Sequence, residues 1–172
     1  MNKKKLNYRV TYLEMNKKPS FDWPKNLKHK LSILLAESFP AWYFLFFYKQ
    51  VGKNYYWTDW LRKSEDEIDE FVNDKNVLLY TLIKDGWPVG FYMLDYRKKD
   101  ICDLSFFGLV DEVIGIGLGK YLLQTAILTA WDSKKIKKLT VNTCSLDHKS
   151  AIYLYQKYGF TPVKYKDLEK TF

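Results

Sequence analysis

Histidine, cysteine and arginine are scarce in this 172-residue chain, and each scarcity excludes something. The two histidines, His29 and His148, have no zinc-ligand spacing, so no metal is expected. The two cysteines, Cys102 and Cys144, form no C-x-x-C pair. They cannot staple a chain of this size, and a reducing cytoplasm is the expected setting. Only Arg9, Arg62 and Arg97 of the 28 basic residues are arginine. Proteins that read base edges lean on arginine forks. The formal charge of +8 therefore reads as a lysine-rich solvated surface, and no nucleic-acid partner is expected. The alternative is a basic patch beside a negatively charged ligand. Long apolar runs are missing too. The longest, Phe39 to Tyr48, is about half the ~20 residues a spanning helix needs. No apolar segment follows Met1-Asn2-Lys3-Lys4-Lys5, so neither a signal peptide nor a membrane partner is expected.

What is abundant points to a packed core. Hydrophobic residues make up 47% and aromatics 18%, which suits one globular domain over residues 1–172. Leu6 to Leu13, Val77 to Ile83, Val89 to Tyr96, Ile101 to Val110, Lys138 to Cys144 and Phe160 to Tyr165 carry strand patterns. Asp85-Gly86 marks a hairpin. Helical spacing runs over Leu27 to Phe39, Ala41 to Val51 and Gly117 to Trp131. Ser64 and Glu67 form a capping box for a short helix, and Asp147 is placed to cap one from His148 to Tyr158, which Gly159 stops. This order predicts an α/β layered domain with helices on both faces of one sheet.

The candidate functional stretch is Gly115-Ile116-Gly117-Leu118-Gly119-Lys120, between a strand and a long helix. Alternate glycines there free the backbone for positive φ, and the helix's first amides then converge on an anion. The P-loop template fails at Ile114 and Tyr121, and the dinucleotide template fails at Lys120. Taken alone, the stretch is a phosphate cradle or a loop whose glycines only ease packing.

Two motifs carry a resemblance. Ile114-Gly115-Ile116-Gly117-Leu118-Gly119 follows a Q/R-x-x-G-x-G/A pattern, and Ala151, Tyr155, Gly159 and Phe160 match A-x-x-x-Y-x-x-x-G-F. Together they resemble the GCN5-related N-acetyltransferase (GNAT) family. Three further segments, Tyr43 to Asp59, Phe107 to Gly119 and Thr143 to His148, resemble one bacterial subgroup of it. Two departures stand out: Ile114 and Ile116 occupy positions where basic or amide residues are usual, and Asp147-His148 replaces an Asn before the last helix.

The resemblance implies a mixed, mostly antiparallel sheet with a splayed strand pair, and acetyl-CoA as cosubstrate. It implies a primary amine of a small molecule or peptide as acceptor, and it often accompanies homodimers. Gly108, Leu109 and Val110 would hold the pantetheine, with Gly108 easing a bulge. Gly115, Ile116, Gly117, Leu118, Gly119 and Lys120 would hold the diphosphate. Tyr155 is the implied acid for the leaving thiolate, and otherwise one more core aromatic. Asp103, Glu112 and His148 are the candidate bases. Trp42, Tyr43, Trp57 and Asp59 are the candidate acceptor wall, since aromatic faces and a carboxylate suit a cationic amine. An acyl-CoA-binding module with weak or no catalysis is the alternative that Ile114 favours.

Overall fold

The computed structural model describes residues 5–25 and 29–171. One seven-stranded sheet runs through it: β1 (Lys5–Met15), β2 (Leu31–Ala36), β3 (Val77–Lys84), β4 (Trp87–Asp95), β5 (Ile101–Leu109), β6 (Lys138–Cys144) and β7 (Thr161–Thr171). Their order across the sheet is β2-β3-β4-β5-β6-β1-β7. Every neighbouring pair is antiparallel except β5 and β6. Four α-helices pack on the sheet among the described residues: α1 (Ala41–Gly52), α2 (Glu65–Val72), α3 (Leu118–Ser133) and α4 (Ala151–Lys157).

Alternation along β4 assigns the helices to faces. Phe91 stacks on Phe47 of α1, with ring centroids 5.1 Å apart. Its neighbour Tyr92 points the other way and its hydroxyl lies 3.2 Å from Thr129 of α3. Successive strand side chains take opposite faces, so α1 and α3 sandwich the sheet. The same switch recurs on β5: Phe106 packs against Phe44 of α1, and Phe107 against Tyr155 of α4. The capping box forms as the sequence predicts. Ser64 accepts from the Glu67 amide, and Glu67 accepts from the Ser64 amide.

Three local expectations are corrected. Residues 31–36 form a strand rather than part of a helix over Leu27 to Phe39, and Leu27 itself lies outside the described residues. A short apolar run fits both periodicities. The free edge of β3 decides the matter by pairing Leu34 with Thr81. The second correction concerns α4, which starts at Ala151, not His148, and has no side-chain cap. Asp147 is drawn away from capping by other donors, described below. The third concerns β7, which runs to Thr171 rather than ending near Tyr165, because β1 offers it a ladder from Lys5 to Glu14.

Candidate active site

The parallel pair holds only from Ile101–Lys138 to Leu104–Val141. Beyond Leu104 the two strands part, while β5 stays paired to β4 as far as Leu109. A cavity of about 420 Å³ opens at this parting. Its walls come from β5, the glycine loop, β6, the turn before α4, α4 itself and the segment after α1.

A β-bulge lies where the parting begins. Met93 faces Phe106 and Leu94 faces Leu104, so Ser105 is the extra residue. The bulge therefore falls at Ser105 and not at Gly108. Gly108 has a different reason to be glycine: a Cβ there would stand 2.3 Å from Cγ1 of buried Val51. Bare backbone at Gly108 lets α1 press directly on the cavity strand. Gly52 does the same for Trp57, whose Cβ would lie 2.2 Å from an added Cβ.

The glycine loop takes the conformation that its composition allows. Gly115 and Gly117 have φ of 91° and 90°, a region costly for residues with a Cβ. Nothing in the protein lies within 4 Å of a Cβ at either position. Gly117 is the N-cap of α3; no side chain caps that end, and no acidic residue sits in the first turn. The start of a 16-residue helix is thus left with its amide dipoles uncompensated beside the cavity. Lys120 adds a cation at the rim. Ile114 lines the same rim.

Of the cofactor residues that the sequence suggests, Gly108, Leu109, Gly115, Gly117, Gly119, Lys120 and Tyr155 line the cavity. Val110, Ile116 and Leu118 do not. Val110 is buried and its amide donates to Val89 O, and Leu118 is buried in the core. Ile116 is about half exposed.

Tyr155 is buried at the inner end, edge-on to Phe107 and Phe160. No described residue hydrogen-bonds its hydroxyl. Burial, and next the carboxylate of Asp147, push its pKa above the ordinary tyrosine range, so it stays protonated at neutral pH.

The candidate bases are placed unequally. Asp103 does not line the cavity, but Ser105, which does, donates to its Oδ2 at 2.8 Å. Thr140 donates to its Oδ1 at 2.5 Å. His148 lines the cavity from the exposed turn, its Nδ1 2.7 Å from Ser150 Oγ. Glu112 is exposed on a 3-10 turn (Asp111–Val113) outside the lining.

Only Trp57 of the expected acceptor wall reaches the cavity. Trp42 is 65% exposed on the outer face of α1, because the helical phase that buries Phe44 and Phe47 turns it outward. Tyr43 spends its hydroxyl on Thr81, 2.8 Å away. Asp59 is an exposed partner of Lys170.

Asp147 lines the cavity instead. Its Oδ2 accepts from Cys144 N at 2.7 Å and Thr143 Oγ1 at 2.8 Å, and its Oδ1 from Trp57 Nε1 at 3.1 Å. Those donors hold the carboxylate against the loop after β6, which is why it caps no helix. Sequence reasoning missed this placement, because a carboxylate before a helix reads first as a cap, and it missed Tyr55, which also lines the cavity. The only earlier signal was its adjacency to His148 in the T-C-x-L-D-H segment.

Cys144 neighbours this carboxylate. Burial, then the Asp147 charge, push its thiol up to about 11. The folded protein therefore holds the thiol proton through neutral pH and releases it only as pH rises toward that value. Alkylation by iodoacetamide at pH 7.5 is expected to be at least about tenfold slower than for a free cysteine, and to accelerate with pH. Mass spectrometry of quenched samples measures it; rapid labelling at pH 7.5 contradicts the placement. Among the described residues no cluster of His, Cys, Asp and Glu could hold a metal ion, and no helix is long and apolar enough to cross a membrane.

A mostly antiparallel sheet that opens at its one parallel pair, with a glycine loop and helix N-terminus at the opening, is the GNAT acetyltransferase fold. The chain belongs to the acetyltransferase (GNAT) family, whose model matches residues 36–160. Solved structures agree on the fold. A GNAT family acetyltransferase from Elizabethkingia anophelis with acetyl-CoA bound is 23% identical, covers 78% of each chain and has a TM-score of 0.57. A GCN5-related N-acetyltransferase from Kribbella flavida is 14% identical over 95% of this chain, with a TM-score of 0.63. An acetyltransferase of the family from Novosphingobium aromaticivorans is 15% identical over 96%, also with a TM-score of 0.63. The chain spans 57% and 64% of the length of the last two. No protein of curated function matches the sequence.

Proposed function

We propose that the protein is an acetyl-CoA-dependent N-acetyltransferase that moves the acetyl group directly to a primary amine of a small molecule or peptide. The observation that carries this reading is the cavity at the parting of β5 and β6. It joins an uncapped helix start to a buried, protonated tyrosine. The amides from Gly115 to Lys120 would hold the diphosphate, with Lys120 supplying the cation that Ile114 does not. The edge of β5 that faces no strand beyond Leu104 would take the pantetheine.

Residues 1–172 would act as one catalytic domain. The acceptor would lie against Trp57, Tyr55 and Phe106, near the Asp147 carboxylate. The amine nitrogen bonds to the acetyl carbon, the carbon–sulfur bond breaks, and Tyr155 meets the departing thiolate as a hydrogen-bond donor and proton source. Desolvation raises the basicity of a thiolate there, as it does at Cys144, so a raised tyrosine pKa still suits the match. Asp103 is the base that the reading favours. Protonated Cys144 and fully buried Cys102 favour direct transfer over an acyl-cysteine route.

Calorimetry with acetyl-CoA, followed by thiol release with polyamines, amino acids, aminoglycosides and lysine peptides, tests the reading. Binding with turnover of at least one amine is expected. A well-folded sample that binds no acetyl-CoA overturns it. Tight binding with no thiol release favours the second reading, an acyl-CoA-binding module, for which apolar Ile114 at the rim is the specific observation.

A further inference from the structure

We infer that Ser105 is a proton relay between the acceptor amine and Asp103, set in place by the β-bulge. The inference rests on the acetyltransferase reading above and deepens it. Three observations meet at this residue. Ser105 is the extra residue of the bulge, where the strand partnership with β6 has just ended. It lines the cavity, whereas Asp103 does not. And its hydroxyl donates to Asp103 Oδ2 at 2.8 Å. Bulges of one residue re-aim a side chain next to a site. Here the re-aimed side chain faces the cavity and still reaches back to the carboxylate two residues upstream.

The other Asp103 oxygen is occupied by the Thr140 hydroxyl at 2.5 Å. The route from cavity to carboxylate therefore runs through Ser105 Oγ. Because the serine proton already points at Asp103, the oxygen's lone pairs are left to accept a proton from the cavity side. In the step, an N–H proton of the acceptor passes to Ser105 Oγ as the Ser105 proton passes to Asp103. The serine ends neutral, the carboxylate ends as the acid, and the amine is free to attack.

The charges around the relay do not compete for that proton. Asp95, opposite Asp103 on β4, is paired with Arg97 at 2.7 Å. Glu14, opposite Thr140 on β1, is paired with Lys138 at 2.8 Å. From the α2 side, Glu70 and Asp74 act on Arg97.

The test measures kcat and KM of wild type, Ser105→Ala, Ser105→Thr, Asp103→Asn and the double variant, with acetyl-CoA and spermidine or the best amine of the panel, from pH 7 to pH 10. Ser105→Ala is expected to lose about 10- to 100-fold in kcat at pH 7, with unchanged KM for acetyl-CoA. The deficit should shrink toward pH 10, because an amine with a pKa of ~10.4 then arrives increasingly unprotonated. Ser105→Thr keeps the hydroxyl and should keep most of the rate. The double variant should be no slower than the slower single one, since the two residues act as one unit. A deficit that is constant across pH, full activity in Ser105→Ala, or additive losses overturns the relay. A wild type inactive on every amine instead overturns the acetyltransferase reading itself.

Discussion

Tyr155→Phe is expected to lower kcat by about 100-fold or more while the dissociation constant for acetyl-CoA moves by no more than about threefold. The asymmetry follows from what the hydroxyl touches. The ring fills a pocket between Phe107 and Phe160, and phenylalanine fills it equally. No described residue hydrogen-bonds the hydroxyl, so removing it leaves no protein partner unsatisfied. Stability should hold or rise slightly. In the proposed role, what is lost is the donor to the leaving sulfur, and that loss would be felt only as the carbon–sulfur bond breaks. Steady-state kinetics and calorimetry on the same preparation separate the two quantities. Turnover equal to wild type removes Tyr155 from the acid role, and a matched loss of binding and rate makes it a binding residue.

Gly108→Ala is expected to lower stability by about 1–3 kcal/mol and to weaken acetyl-CoA binding at the same time. An added Cβ meets Val51 Cγ1 at 2.3 Å, and Val51 is buried on a helix held by Phe44, Phe47 and Tyr48. The methyl cannot swing aside, so α1 must lift or β5 must bend. In a chain of this size that corresponds to a fall of about 3–10 °C in melting temperature. Either movement alters the strand edge that would hold the pantetheine. Differential scanning calorimetry with and without acetyl-CoA reads both effects. An unchanged melting temperature shows that the α1 contact is softer than its geometry indicates. Val51→Ala in the Gly108→Ala background should restore part of the loss by making room for the methyl.

The sequence made parts of this architecture legible because some signals depend only on near neighbours. The Asp85-Gly86 turn, the capping box at Ser64 and the glycine loop are of that kind, and all three stand in the structure. The motif around Tyr155 also located the inner end of the cavity. Signals that depend on distant partners failed. Residues 31–36 look helical until β3 supplies an edge to pair with. Gly108 looks like a bulge glycine until α1 is known to press upon it, and the bulge went to Ser105. Trp42 and Tyr43 look like an amine-binding wall until the phase of α1 shows one facing out and the other spent on Thr81. Asp147 looks like a cap until Trp57, brought across by the tight packing at Gly52, donates to it.

The position of β1 carries a consequence for how the chain reaches this state. β1 lies between β6 and β7, pairing Val10 with Cys144 on one side and Lys5 with Thr171 on the other. Neither partner exists until the ribosome has passed residue 139, so the earliest of these seven strands is among the last to be seated. Contacts of such sequence separation slow folding, because loop closure comes before any pairing offsets it. β2 to β5, linked by near-neighbour pairings, can assemble earlier. During synthesis the nascent chain thus carries an unpaired, aromatic β1 beside a half-built sheet until β6, a wall of the cavity, offers it an edge.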